Sequence, residues 1–268
     1  MIRNVCIALV LSALTATSLH AADPSRVITP MPKRLLFVGS SLTTHGGGVH
    51  TMFDKLCEAA DEPESFIIET RFKGGADIGE HLDEGLIQRQ IQNGDFDVVI
   101  MQQMPNRFVD SKRNGGRKEY AHSSARQMID LITSSGATPV WYMTWHKEAW
   151  TWDGVVEALD SVEEVWPIPM VPVGHVWNKV LTENPSLNLR EDGVHPNEAG
   201  AYMASCVFYI SFTQKSPVGN SYHPSAISPA DAAYLQNAAW EYMKDFVERP
   251  GAIPEMAPAD TEPRNENS

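Results

Sequence analysis

Apolar positions along the chain fall into short dense runs, separated by stretches in which they recur at helical spacing. Arg34-Leu-Leu-Phe-Val38, Asp97–Met101, Pro139–Trp145 and Ile168–Val173 read as strands, and Ser65–Phe72 as another by its alternation. Asp97-Val-Val-Ile-Met101 is the most uniformly apolar of these, as expected of a strand covered on both faces. The intervening stretches, Val49–Ala60, His81–Gln92, Arg117–Ser134 (stopped by Gly136) and Trp152–Val165, read as helices. After the fifth strand come a helical stretch from His175 to Leu181, a loop to Arg190, and a helix from Glu198 to about Phe212. Ser228-Pro229-Ala230-Asp231 starts another, with Ser as cap and Pro at the first helical position, running to about Phe246. Strands separated by helices of this length imply βαβ crossovers. The expected architecture is a three-layer α/β/α sandwich with a mostly parallel five-stranded sheet, flavodoxin-like in outline.

The first residues have a different pattern. Arg3 precedes an apolar run from Val5 to Leu14, interrupted by Ser12, and small residues follow to Ala21-Ala22. That is the order of a cleavable secretory signal, and the run falls short of the ~20 residues a membrane span needs. The expectation is a leader over 1–21, one domain over 22–248, and a disordered tail rich in Pro, Ala, Glu and Asn over 249–268, with the mature chain secreted or periplasmic. With 43% apolar and 21% charged residues in 268, the chain can bury one sizeable core. Its 34 Asp+Glu against 21 Lys+Arg leave a net charge of −13. Such a chain repels phosphate backbones and anionic lipid, so nucleic acid is excluded as a partner, and no later segment reads as a membrane span. Of three cysteines, Cys6 lies in the leader. Cys57 and Cys206 fall on helices expected to lie side by side, either bridged or packed as two buried thiols, and are too few for a Cys-type zinc site.

Ligands of open parallel sheets bind at the carboxyl ends of the strands. After the first strand stands Gly39-Ser-Ser-Leu-Thr-Thr-His-Gly-Gly-Gly48. A tight turn there can present the Ser41 hydroxyl, although Ser41 or Thr43 can equally serve as a helix cap. The glycine run lacks the Gly-Lys-Ser/Thr of a phosphate loop. Near the other end stands Asp192-Gly-Val-His195-Pro196. Asp and His three apart in a turn can place the carboxylate against one imidazole nitrogen and leave the other free to take a proton from a hydroxyl. Together the two blocks supply a nucleophile and its base.

Gly39-Ser40-Ser41-Leu42-Thr43 and Asp192-x-x-His195 resemble the first and last blocks of the SGNH, or GDSL-type, hydrolases. The resemblance implies Ser41 as nucleophile, His195 as general base and Asp192 as its orienter. It also implies an oxyanion hole built from Ser41, from Gly75 in Lys73-Gly-Gly-Ala-Asp77, and from a side-chain amide. This sequence departs from the family at two points. Ser40 replaces the usual acidic residue before the nucleophile, and Met101-Gln-Gln-Met-Pro-Asn106 stands where Gly-x-Asn-Asp belongs. Gln102 at the strand end, or Asn106 from a longer loop, would supply the amide, since an oxyanion hole needs a positioned donor more than a given residue type.

Trp145 ends the fourth strand and Trp150 follows it, where aromatics either fill the core or, as expected here, bind substrate. His45 and His50 have no neighbouring carboxylate or cysteine in sequence to complete a metal site, so neither metal nor cofactor is expected. The function expected is that of an exported serine esterase removing O-acetyl or another short acyl group from a carbohydrate. The alternative is an exported carbohydrate-binding protein of the same fold with little or no activity.

Overall fold

The computed structural model describes residues 33–104, 107–108, 118–145 and 168–248. The expected leader, the tail and the Trp152–Val165 helix lie outside them. Five strands, β1 (Arg34–Gly39), β2 (Ile67–Phe72), β3 (Val98–Gln103), β4 (Thr138–Met143) and β5 (Met170–Val171), form one sheet in the order β2-β1-β3-β4-β5. Every pairing is parallel. Helices cover both faces, so the expected three-layer α/β/α architecture is the one found.

Strand alternation sorts the core. Leu35, Phe37, Val98, Ile100, Val140 and Tyr142 point to one face, and Leu36, Val38, Val99, Met101 and Trp141 to the other. Both sets are buried, which is why these strands read as unbroken apolar runs. The first face carries α2 (Val49–Glu58), α6 (Val173–Glu183), α7 (Glu198–Thr213) and α8 (Pro229–Glu248). The second carries α3 (Ile78–Asp83), α4 (Leu86–Asn93) and α5 (Lys118–Ser134). Nearly every residue of α7 is buried, because α2, α6 and α8 pack around it. Its sequence accordingly lacks a polar face. Cys57 on α2 and Cys206 on α7 are free, buried thiols, and the two helices do pack together.

Two element boundaries differ from the sequence expectation. The single helix read over His81–Gln92 is two, α3 and α4, broken at Gly85, whose φ of 67° is left-handed. Asp77 and Glu80 form a reciprocal capping box that starts α3 three residues early. β3 also runs on to Gln103, so Gln102 and Gln103 belong to the strand and point to opposite faces.

Candidate active site

β1 delivers the chain at Gly39 into a tight turn. Ser40, extended at φ −129°, caps the four-residue helix α1 (Ser41–Thr44), and Ser41 is its first residue. The turn is clamped from three sides. The Gly39 carbonyl accepts from Lys73 N–H at 3.1 Å and from His81 Nε2 at 2.9 Å. Gln102 Oε1 accepts both the Ser40 N–H and the Ser40 hydroxyl, each at 2.8 Å. A Cβ at Gly39 would lie 2.9 Å from Gln102 Oε1 and 3.0 Å from Thr43 Oγ1, so a side chain there would break the clamp.

The second half of the site is the loop entering α7. An isolated antiparallel bridge between Arg190 and Pro196 pinches it, with Glu191 N–H donating to His195 O at 3.1 Å. Within the loop, Asp192 Oδ1 accepts the backbone N–H of Val194 and of His195, both at 2.7 Å, and Oδ2 meets His195 Nδ1 at 2.8 Å. The His195 ring donates most strongly, and with the two backbone donors it holds the Asp192 carboxyl far below the usual carboxylate range. Asn197 caps α7 by accepting Gly200 N–H at 3.0 Å and ties the loop back by donating to Asn188 O at 2.9 Å. So docked, the loop brings His195 Nε2 to 2.9 Å from Ser41 Oγ, across 154 residues of sequence.

An ionised Asp192 can only accept, which puts the ring proton on Nδ1. The Nε2 lone pair is then left facing the Ser41 hydroxyl. The arrangement can accept a proton from Ser41 and stabilise the resulting imidazolium.

Other residues singled out from the sequence have different fates. Gly75 lies in the turn after β2 at φ 71°, with open space beside its Cα, and that turn is tied to Gly39 through Lys73. Gln102 does not present a free amide. Ser40 N–H can only donate, so the carbonyl end must face it, and Nε2 is left buried, without a partner and without access to solvent. The oxyanion role that the resemblance implies for Gln102 is thus replaced, in this geometry, by a bond to Ser40. Its side chain, 2% exposed, holds the nucleophile turn.

Trp145 is corrected as well. It is 2% exposed, stacks on Trp177 at 4.0 Å, and donates from Nε1 to Val194 O at 2.9 Å. It supports the His195 loop from beneath and offers no face to a ligand. Asn106 and Trp150 lie outside the described residues.

Spacing missed one pair altogether. His45 stacks on His195, with centroids 4.1 Å apart and 19° between planes, and its Nδ1 hydrogen-bonds Glu191 Oε1 at 2.5 Å. His45 thus finds its carboxylate 146 residues away, where no local pattern reaches. One donor atom each from His45, Glu191 and His195 lie within 4.8 Å of one another, near enough to share a cation. The rings are stacked in nearly parallel planes, however, so one ion cannot lie in the plane of both, and both His195 nitrogens are engaged. This set fits a packed contact better than a metal centre.

No protein-family model and no curated protein matches the sequence. Among solved structures, a DUF4886 family protein from Bacteroides uniformis superposes with a TM-score of 0.64 at 17% identity, covering 84% of this chain and 98% of that one. A Slackia heliotrinireducens protein assigned to the SGNH hydrolases gives 0.50 at 24% identity over 67% of this chain and 98% of its own. The chain has the SGNH hydrolase fold. The acetyl xylan esterase AlAXEase shares that fold, with a TM-score of 0.53 at 13% identity over 66% of this chain and 98% of its own. At these identities the likeness is one of fold. What the fold does here rests on the site it carries.

Proposed function

We propose that the protein is a serine esterase that works through an acyl-enzyme on Ser41. The observation that carries this reading is the continuous hydrogen-bonded chain Ser41 Oγ–His195 Nε2 and His195 Nδ1–Asp192 Oδ2, at 2.9 and 2.8 Å, at the carboxyl end of a parallel sheet. Ser41 Oγ attacks the ester carbonyl while its proton passes to His195 Nε2. The tetrahedral intermediate collapses, and the alcohol leaves with that proton. Water, deprotonated by the same nitrogen, then releases the acid and restores Ser41. In this reading the oxyanion is met by backbone N–H groups, those of Ser41 and Gly75. As the first residue of α1, Ser41 has an N–H that the helix does not use.

The substrate we infer is a carbohydrate carrying O-acetyl or another short acyl group, met outside the cytoplasm after removal of residues 1–21. The acetyl xylan esterase among the structural neighbours supports the substrate class. The order of charged, apolar and small residues at the chain start supports export. The test is hydrolysis of a short-chain aryl ester and of acetylated polysaccharides by the protein and by Ser41→Ala. Acyl release that vanishes in Ser41→Ala is the expected result. Equal release by both would overturn the reading.

One observation favours the second reading, a carbohydrate-binding protein without turnover. The third-block amide that the resemblance supplies as an oxyanion donor has its oxygen on Ser40 and its nitrogen buried away from solvent. Glycan binding by a protein that releases no acyl group from any ester would decide for it.

A further inference from the structure

The esterase reading uses only the edges of the His195 ring. Two hydrogen bonds, at Nε2 and Nδ1, define an axis through the imidazole, and a ring held only so can still rock about it. Its face is where His45 lies. Resting on that reading, we propose that His45, anchored by Glu191, is a positioning residue that covers one face of His195 and fixes the plane of the base.

The brace is tied at both ends. The His45 backbone N–H donates to Ser41 O at 2.9 Å, so the ring is carried by the helix that carries the nucleophile. Glu191 sits in the His195 loop and donates its own N–H to His195 O at 3.1 Å. The link from His45 Nδ1 to Glu191 Oε1, at 2.5 Å, therefore joins the nucleophile segment to the base segment above the imidazole. Movement of either segment strains the same small ring of contacts.

The glycine run acquires a purpose in this arrangement. Gly46, Gly47 and Gly48 take φ of 62°, 87° and 84°, a left-handed stretch that side-chain-bearing residues resist. A Cβ on Gly46 would lie 2.3 Å from Asn197 O and 2.6 Å from the Asn197 carbonyl carbon. The chain thus passes directly against the cap of α7, and that close approach lays His45 over the His195 loop. The run is a packing device, which accounts for glycines where no phosphate-loop lysine follows.

Two contacts carry the proposal, an aromatic face and a hydrogen bond, and substitution separates them. His45→Ala removes both, and His45→Phe restores the face alone. Glu191→Ala frees the ring and leaves it in place. With a short-chain aryl ester, His45→Ala is expected to lower kcat about tenfold with KM nearly unchanged, the size of loss that a slightly misplaced base produces. His45→Phe should recover most of it, and Glu191→Ala should fall between.

The second readout is nuclear magnetic resonance of the His195 ring, in particular the rate at which its Nδ1 proton exchanges with solvent. Exchange should quicken in His45→Ala and slow again in His45→Phe. If His45→Ala changes neither kcat nor exchange, the proposal fails. If His45→Phe recovers neither, the aromatic face does not position His195 and the proposal is equally overturned. The exchange measurement needs no turnover. Should the protein hydrolyse no ester, the esterase reading fails while the positioning of His195 is still decided.

Discussion

The Asp192 carboxylate collects three N–H groups, one from the His195 ring and two from the backbone, and it is they that hold it ionised. Asp192→Asn keeps the shape and changes the tautomer. The amide oxygen would stay with the two backbone donors and turn its NH2 toward the ring, forcing the ring proton onto Nε2, where it blocks acceptance from Ser41. We expect kcat to fall by roughly 10²–10⁴ with little change in KM, measured on a short-chain ester. Gln102 makes a separate prediction. If its amide holds Ser40, Gln102→Ala leaves a buried N–H without an acceptor. Unfolding free energy should then drop by about 1–3 kcal/mol in chemical denaturation, alongside any loss of rate. A full loss of rate with unchanged stability would instead mark Gln102 as a donor to the transition state.

At the scale of elements, the His195 loop depends on how closely α7 approaches the residues before it. A Cβ at Gly200 would meet Leu189 O at 2.2 Å and the Trp177 ring at 2.7 Å. Gly200→Ala, harmless to an isolated helix, must push the 189–197 segment away. It should cost about 1–3 kcal/mol of stability, and in the proposed enzyme it should lower kcat, since Ser41 and His195 would part. Denaturation and steady-state kinetics on the one variant check both. Trp145 and Trp177 belong to the same support, stacked beneath the loop, with Arg190 over the Trp177 ring at 5.4 Å. Their burial explains why Trp145, an aromatic at the carboxyl end of a strand, walls no substrate site. Position in the chain tells which end of the sheet a residue occupies, and whether the ring faces solvent depends on α6 and the His195 loop closing over it.

For the whole molecule, acid is the stress to which the fold responds. Burial lowers the affinity of His50, His81 and His175 for protons, bringing His175 down to about 4. In the unfolded chain these imidazoles titrate near their ordinary value of about 6.5. The unfolded state therefore binds more protons below that pH, and stability present at neutrality is lost as pH falls from about 6.5 toward 4. The denaturation midpoint should decline over that window. His175→Phe, which keeps a ring against Tyr242, should flatten the decline; an unchanged slope would show that His175 contributes nothing to it. The two core thiols report on the same global unfolding. Burial raises both, so Cys57 and Cys206 should resist a thiol reagent until the chain unfolds.

The features legible in the sequence are those written in short spacings. Apolar runs marked β1, β3 and β4, because a strand covered on both faces is apolar throughout, whereas the edge strand β2 showed only as an alternating stretch. The Asp192-x-x-His195 contact was visible because three residues suffice to close it within one turn. Ser41 was visible as a hydroxyl at a strand-to-helix junction. Meetings between segments far apart emerge instead from how the chain packs. Gln102 faces Ser40 with its carbonyl, because a strand residue's side chain answers to whatever the neighbouring strand's turn presents. Trp145 lies under the loop, and His45 reaches Glu191 and the face of His195 through glycines that pack against Asn197. Periodicity reports which way a residue faces within its own element. Which partner it finds there is fixed by long-range packing, for which a single sequence holds no local sign.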